Sequence, residues 1–526
     1  MRPLAASVAL LPGLLTVYFS FKSGGYFPGA TALVAAELAA LVALRLAFAR
    51  RPLEGVGPAL LLASAALGGF AVWALASSGW SDSPARALPE YTRALAYLLA
   101  LVVFGILPFS VRRVHWMTYG LAAAIVVVCG AAFLSRTMPD LVGGAGALQP
   151  DRLSYPLDYW NALGALAGIG IVLSGHLACA SRDHWAGRVA GAAAVPLLTA
   201  TLYYTFSRGA TWAALAGVAV YVVAGRPRGL IPGALATVPP TAVALMVVNP
   251  AGTLTGQPRL APETLATGHR TALAVLGCVL GAALIRAVLL PADTRLEGVR
   301  LAPRLGRPVL AGAAVSALVL ALAASAALHV PDVVAEKYRD FSSDSSRVGE
   351  SGSSRLLSAS DNGRREHWEV ALDAFRRDRL RGGGAGSYQV AWMRDRQTPA
   401  EARDGHSLYI ETLGELGLVG LAALAACLLL VLGGFARRTR GRDRTLFAAL
   451  LAAGVAWALD AGVDWAWEMP AVTIWLFAFG GAALARGRSD PALGQPSREA
   501  GRKTRTAQVA LRVVGVAACV ALAVLP

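Results

Sequence analysis

One histidine of this chain is placed where it could take part in proton transfer. His406 closes a long polar segment and, with Ser407, directly precedes the apolar run LYIETLGELGLVGL, at the mouth of the next predicted helix. Near neutral pH, a histidine at such a boundary can accept a proton from a hydroxyl. A single interfacial histidine is also a common capping or packing group. The sequence therefore offers His406 both as a general base and as a structural residue.

Arg364 lies in the same polar segment and is suited to bind an anion. It stands four residues before Trp368, so it shares the apolar face of a predicted helix that also carries Leu372 and Phe375. A guanidinium buried there must be paired, because burying it alone is costly. Two kinds of partner are open: an anionic ligand, or a carboxylate of the same segment such as Glu336, Asp340 or Glu401.

Two earlier motifs bring polar residues to the same side of the predicted membrane. In FSRGATW, Gly209 is expected to form a tight hairpin at which Arg208 projects, although the turn itself needs no arginine. In RLSYPLDYWNALG, Arg152 and Asn161 stand at the start of an apolar run. Turn and aromatic-belt roles explain most of that second stretch without a ligand.

Three residues that follow His406 are possible supporting groups. Tyr409 lies one turn beyond the histidine, and Glu411 and Glu415 are one turn apart on a neighbouring stripe. Placing a carboxylate within a membrane helix costs free energy, and such residues often have a function. A salt bridge to an arginine outside the membrane is an equally natural reason for them.

The elements that must position these residues are membrane helices. The 526 residues are 56% hydrophobic and only 15% charged, too apolar for a soluble multidomain protein. Apolar runs of about 15–22 residues recur throughout, and a bilayer core requires about 20 helical residues. We therefore predict an all-α polytopic membrane protein of about 14–15 transmembrane helices with one long, mainly helical extracytoplasmic loop. The predicted spans are 4–20, 29–49, 57–76, 93–110, 115–134, 159–179, 189–206, 210–224, 230–248, 271–290, 308–328, 407–434, 445–461, 471–485 and 508–525.

The arginines of alternate loops predict the orientation. The excess positive charge of +16 gathers in alternate loops, such as RRTRGRDR at 437–444, rather than in a nucleic-acid-binding patch. The positive-inside rule then places the N-terminus in the cytoplasm and the long polar loop outside the plasma membrane. The predicted units are N-terminal spans in 1–328, the loop domain in 329–406, and C-terminal spans in 407–526.

Several blocks in this order carry a family resemblance. RLSYPLDYWNALG, FSRGATW, GRREHWEVALDAF, RGGGAGSY and DGHSLYIETLGELGLVGL together resemble the O-antigen ligase and polymerase family of membrane glycosyltransferases, over roughly residues 152–421. Ser407 follows the histidine where many family members have asparagine, and Arg381 precedes the glycine motif where many have proline. These two departures leave the identity of the acceptor open.

The resemblance implies a function and a set of partners. It implies an inverting transfer of an oligosaccharide from undecaprenyl diphosphate to a hydroxyl of a glycan or cell-wall acceptor, by a ligase or a polymerase. By motif match, Arg208 and Arg364 bind the donor diphosphate and His406 is the base. No cofactor and no metal are expected, and the chain lacks the Asp-x-Asp pair with which many sugar transferases hold a metal. The lipid bilayer is a partner, nucleic acid is not, and the oligomeric state is open.

Two alternatives come from other functional classes. A transporter or flippase of lipid-linked sugars would also have many helices and arginines, but it would place polar residues near the midplane and not at one rim. A noncatalytic scaffold of an envelope polysaccharide complex would use the loop as a docking surface. Substitution of His406 separates both alternatives from an enzyme.

Overall fold

The computed structural model describes residues 3–142, 151–249, 260–291, 363–487 and 512–519, together with Leu254, Asp293 and Ala521. In this part of the chain the regular secondary structure is helical, with no strand. Ten of its helices are long and apolar enough to cross a membrane. The all-α polytopic prediction is confirmed. The span predicted at 308–328 lies outside the described residues, and residues 512–519 of the last predicted span are helical.

Among the described residues, ten α-helices precede the polar loop. Their bounds are α1 Pro3–Ser20, α2 Pro28–Phe48, α3 Pro58–Ala76, α4 Ala87–Gly105, α5 Val111–Thr137, α6 Trp160–Cys179, α7 Trp185–Thr205, α8 Arg208–Gly225, α9 Leu230–Val248 and α10 Pro262–Val288. The described part of the loop contains α11 Arg364–Arg377 and α12 Tyr388–Asp395, and the C-terminal helices are α13 Leu408–Arg438, α14 Arg444–Ala461 and α15 Pro470–Leu484.

Helix α6 is a centre of the packing because its residues are small. Gly164 and Gly168 lie against α8, where an added Cβ would stand 3.0 Å from Ala210 Cβ and from Ala214 Cβ respectively. The helix also packs against α5, α7 and α14. Small residues of this kind let helix backbones approach closely inside a membrane. The start of α6, which carries Asn161, is thereby held between several neighbouring helices.

Helix α15 occupies a second buried position, with each of its residues buried. It packs against α1, α4 and α13. At 15 residues it is shorter than a typical span. It begins at Pro470, and the short connection from α14 that precedes it has mostly buried side chains, among them Asp464, Trp467 and Glu468.

Helix α13 is interrupted near its start, a feature that the apolar pattern of 407–434 does not reveal. Gly417 adopts φ +63° and ψ −162°, outside the helical region. Leu418 N donates to Arg379 O at 2.9 Å, so a loop carbonyl replaces a bond within the helix. Glu411 and Glu415 therefore lie in a short helical piece that precedes the break and touches the loop.

Candidate active site

A cavity of about 600 Å³ opens where the ends of several helices meet the loop. Its wall comes from four separated parts of the chain: the turn after α1, the segment before α6, the loop, and the connection after α14. The residues that line it include Ser23, Tyr26, Asp158, Tyr159, His367, Asp404, His406 and Trp465. The volume lies in the range of small-molecule sites. It brings His406 together with residues more than 200 positions earlier in the chain.

His406 is held in an unusual backbone conformation at the start of α13. Its φ of +51° lies in the left-handed region, which is uncommon for a residue with a side chain. Its carbonyl accepts a hydrogen bond from Trp368 Nε1 at 3.4 Å, and Ser407 caps the helix by accepting from Ile410 N at 3.4 Å. Strained backbone of this kind persists only where surrounding contacts fix it. The histidine is thus positioned by both its neighbours and the loop.

Asp464 is the carboxylate that faces His406. Its Oδ1 lies 3.7 Å from His406 Nδ1, slightly beyond hydrogen-bond distance. Tyr159 donates to Oδ1 at 2.5 Å and Asn161 Nδ2 donates to Oδ2 at 2.5 Å. Burial acts to raise the pKa of Asp464, but His406, Arg364 and the Tyr159 hydroxyl outweigh it and lower the pKa to about 2. Asp464 is therefore an ionised carboxylate in a buried position.

Arg364 approaches the same carboxylate from the loop. Its Nη2 lies 3.1 Å from Asp464 Oδ2, and its Nε donates to Val463 O at 2.8 Å. The prediction that its side chain lies on an inward helix face agrees with these contacts. Its ion-pair partner, however, is Asp464 and not Glu401, and Glu336 and Asp340 lie outside the described residues. The ion pair spans 100 positions of sequence, which helix spacing cannot reveal.

Arg152 and Asn161 extend this cluster inward. Arg152 is 8% exposed, and its guanidinium donates to Thr205 O at 2.8 Å and to Asn161 Oδ1 at 3.0 Å. It also lies over the Trp160 ring, 4.5 Å from the centroid. Asn161 in turn donates to Asp464. Arg152 therefore orients the amide of Asn161, and through it the carboxylate, from within the protein.

Arg208 is the first residue of α8 and is half-buried. The expected glycine hairpin is wrong: Phe206 makes the turn, with φ +48°, and Ser207 caps α8. Gly209 lies within the helix, where an added Cβ would stand 3.2 Å from Val463 Cγ2. The carbonyl of Val463 also accepts the hydrogen bond from Arg364 Nε. Arg208 thus begins a helix that packs directly beside the Arg364 contact.

The three other predicted residues bind backbone groups. Tyr409 OH donates to Ala458 O at 2.8 Å. Glu411 Oε2 accepts a hydrogen bond of 2.7 Å from the N–H of Gly405, the residue that precedes His406. Glu415 accepts from Gly386 N and Tyr388 N, each at 2.8 Å, and so anchors the glycine-rich RGGGAGSY motif. The two glutamates bind loop amides, whereas the sequence left a salt bridge to arginine open.

The structure adds His367, which the sequence reading did not single out. Its ring stacks on Trp392, with centroids 4.1 Å apart, and meets the His406 ring edge-on at 5.0 Å. Its Nδ1 lies 2.7 Å from Tyr388 OH. Burial, together with the nearby His406 and Arg364, lowers the pKa of His367 to about 3. A histidine three residues after Arg364 on one helix was the available sequence signal.

Asp464 and Tyr159 were also missed. Asp464 lies in the short connection DAGVDWAWEMP, where a carboxylate sits among aromatic residues between two apolar runs. Such a carboxylate is expensive unless it is paired. That cost was the signal that could have identified Asp464 from the sequence.

Three carboxylates near this cavity lie close enough to hold a cation. In the described part of the chain, ligand oxygens of Asp404, Glu411 and Glu468 lie within 4.8 Å of one another. Burial raises the pKa of Asp404 to about 6 and that of Glu468 well above its ordinary value. These two groups therefore retain protons more readily than exposed carboxylates, so protonation reduces the charge of the cluster.

Comparison with models of known protein families gives a match within the second half of the chain. Residues 264–425 match a family model described as O-Antigen ligase. That range includes Arg364, His406, Glu411 and Glu415, and the match supports the family resemblance that the sequence blocks carry. A comparison with curated proteins found no match.

Proposed function

We propose that this chain, identified as a member of the O-antigen ligase family by residues 264–425, transfers an oligosaccharide from undecaprenyl diphosphate to a hydroxyl of another glycan or cell-envelope acceptor. The family and the membrane helices make it a membrane glycan transferase of the ligase or polymerase type. The donor lipid, the acceptor and the inverting, metal-independent course of the reaction are parts of the proposal.

The observation that carries the proposal is the pairing of His406 with Asp464 at the cavity. His406 Nδ1 faces the ionised Asp464 at 3.7 Å, which leaves Nε2 as the ring nitrogen for an acceptor hydroxyl. A carboxylate in this position orients an imidazole and stabilises the imidazolium that forms when the ring takes a proton. Asp464 is in this sense a positioning residue, and His406 is the proposed catalytic residue.

The proposed reaction is a single displacement. His406 takes the proton of the acceptor hydroxyl while the acceptor oxygen attacks the anomeric carbon of the donor. The bond from that carbon to the diphosphate oxygen breaks, and undecaprenyl diphosphate leaves with the electron pair. Attack from the opposite face inverts the configuration. Arg208 and Arg364 stabilise the negative charge that develops on the diphosphate.

The ion pair of Arg364 limits what this residue can offer to a donor. Its Nε donates to Val463 O and one N–H of Nη2 donates to Asp464, so Nη1 and the second N–H of Nη2 are the groups proposed to bind a phosphate oxygen. Arg208, at the start of α8, supplies the second guanidinium in the proposal. Arg152, whose guanidinium binds Thr205 and Asn161, is assigned a structural role instead.

The cavity wall suits a sugar ring. Tyr26, Tyr159 and Trp465 line it with aromatic side chains, and the rings of Tyr26 and Trp465 meet edge-on with centroids 5.4 Å apart. Ser23 and Asp158 add polar groups, joined by a 2.7 Å hydrogen bond. An apolar wall with a few fixed polar groups is the usual composition of a small-molecule site.

The proposed orientation places this cavity outside the plasma membrane and the N-terminus in the cytoplasm. The starts of α6, α8 and α13 meet the loop here, whereas the opposite ends of these helices carry the arginine-rich connections. The positive-inside rule assigns those connections to the cytoplasm. In this proposal the described part of the loop domain, residues 363–406, lies at the outer face.

The test is a reconstituted transfer reaction with a matched pair of variants. Purified protein is given a polyprenyl-diphosphate oligosaccharide, with and without candidate acceptors, in EDTA. Release of polyprenyl diphosphate with a ladder of products indicates a polymerase, and a single addition indicates a ligase. We expect H406Q to lower the rate by about 10²- to 10⁴-fold. The control H184Q, at an exposed histidine far from the cavity, should retain activity.

Two outcomes would contradict the proposal. Unchanged transfer by a folded H406Q protein would rule out His406 as the base. Activity that is abolished by EDTA and restored by Mg²⁺ would overturn the metal-independent course, and the carboxylates of Asp404, Glu411 and Glu468 would then become the first candidates for the ligands.

A further inference from the structure

We propose that a second cavity, at the opposite ends of the helices that form the active site, binds the phosphate group of an anionic phospholipid. This cavity has a volume of about 210 Å³. Five arginines line it: Arg182, Arg226, Arg228, Arg442 and Arg444. Neither the proposed transfer reaction nor the family match assigns a role to this cavity.

The arginines converge from three connections that are far apart in sequence. Arg182 lies between α6 and α7, Arg226 and Arg228 lie between α8 and α9, and Arg442 lies between α13 and α14. The positive-inside rule requires positive charge in such connections. It does not require the charges to surround one cavity, so their convergence needs a further reason.

Most of the positive charge of these five arginines has no carboxylate partner within the described part of the chain. Within the described part of the chain, Arg182, Arg226, Arg228 and Arg442 form no ion pair. Arg444 is fixed by donating from Nε to Ala224 O at 2.6 Å. The carboxylate that lines the cavity, Asp183, accepts from Tyr119 OH at 3.2 Å and lies 3.8 Å from His115. Five guanidinium groups thus face one carboxylate that other groups already engage.

Guanidinium groups around a small cavity match the chemistry of a phosphate. Each guanidinium presents several N–H donors in one plane, and it can bind two phosphate oxygens at once. Helix α14 begins beside the cavity, and its N-cap residue Asp443 makes no side-chain capping bond. Helix N-termini also favour anions, and here the start of α14 adds to the arginine side chains.

The apolar surface next to the cavity favours a lipid as the source of the phosphate. Val223 near the end of α8 is 71% exposed, and Ile231 at the start of α9 and Trp185 at the start of α7 are each 57% exposed. All three belong to helices whose ends bound the cavity. A phospholipid could place its phosphate among the arginines and its acyl chains along these apolar side chains. Basic pockets between membrane helices bind anionic head groups in this way.

The test compares two triple variants with the same loss of charge. R182Q/R228Q/R442Q removes three exposed arginines of the cavity, and R112Q/R437Q/R440Q removes three exposed arginines from the same ends of the helices but outside the cavity. Full-length protein in neutral detergent is titrated with phosphatidylglycerol, with phosphatidylcholine, or with inorganic phosphate. Bound lipid is counted by native mass spectrometry, and thermal stabilisation is measured in parallel.

We expect phosphatidylglycerol to bind and stabilise the wild type and the control variant, with at least tenfold weaker binding to the cavity variant. Phosphatidylcholine should bind more weakly than phosphatidylglycerol to all three proteins. Equal binding of phosphatidylglycerol to the two variants would show general charge attraction and would overturn the proposal. Inorganic phosphate that stabilises as strongly as the lipid would overturn the assignment to a lipid in favour of a soluble phosphate compound.

Discussion

Arg364 and Asp464 form an ion pair of 3.1 Å that joins the loop to the connection between α14 and α15. Asp464 also faces His406 and accepts hydrogen bonds from Tyr159 and Asn161. This single carboxylate therefore connects the loop with the starts of α6 and α13. The helices alone do not complete the site. Docking of the loop and formation of the cavity are therefore parts of the same structural event.

The first prediction concerns Arg364 and its neighbour. R364Q removes both the ion pair with Asp464 and the proposed diphosphate contact, so we expect the transfer rate to fall on the order of 10²-fold or more. R365Q is the matched control, because Arg365 is 59% exposed and lies 2.9 Å from the exposed Glu369. Its rate should stay within about threefold of wild type, as expected for a surface pair. Equal losses in the two variants would argue against a specific role for Arg364.

The second prediction separates the charge of Asp464 from its hydrogen bonds. D464N preserves the shape of the side chain but removes the charge that faces His406 and Arg364, so we expect a loss of about 10²- to 10⁴-fold in rate. Y159F removes one hydrogen bond and leaves the charge, and its loss should be much smaller. D373N, which neutralises an exposed carboxylate outside the cavity, serves as the control. A Y159F rate as low as that of D464N would mean that geometry, not charge, is the contribution of this cluster.

The sequence predicted the helices better than the site. Hydropathy located the spans because burial in a bilayer demands long apolar runs, and helix spacing placed Arg364 on an inward face. Neither pattern carries information about Asp464, whose partners lie about 100 and 300 residues earlier in the chain. The break at Gly417 was hidden within an apolar run. At the start of α8 the turn formed at Phe206, because tertiary packing placed Gly209 against Val463 inside the helix.

The third prediction concerns the attachment of the glycine-rich motif. Glu415 accepts two backbone N–H groups, and an E415Q side chain has only one carbonyl oxygen to replace the carboxylate. One buried amide is left unsatisfied, which costs about 1–3 kcal/mol of stability. We expect faster proteolysis near Arg381 and a lower melting temperature. E369Q, at an exposed position, should match the wild type, and an E415Q protein as resistant as E369Q would contradict the anchoring role.

The last prediction follows from the depressed pKa of His367, about 3 in the folded protein against an ordinary 6.5. Between these values the unfolded chain binds a proton that the native state does not, so this group makes the protein less stable as the pH falls below about 6.5. From pH 7 to pH 5 its contribution is a loss of about 1–2 kcal/mol. H367Q removes this contribution, so its melting temperature should fall less than that of wild type over the same range.

Melting temperatures at pH 8 report any direct damage from the substitution, because His367 is neutral in both states there. Parallel curves for the two proteins between pH 7 and pH 5 would show that His367 is not buried in its neutral form, and the stacked arrangement with Trp392 would then be wrong.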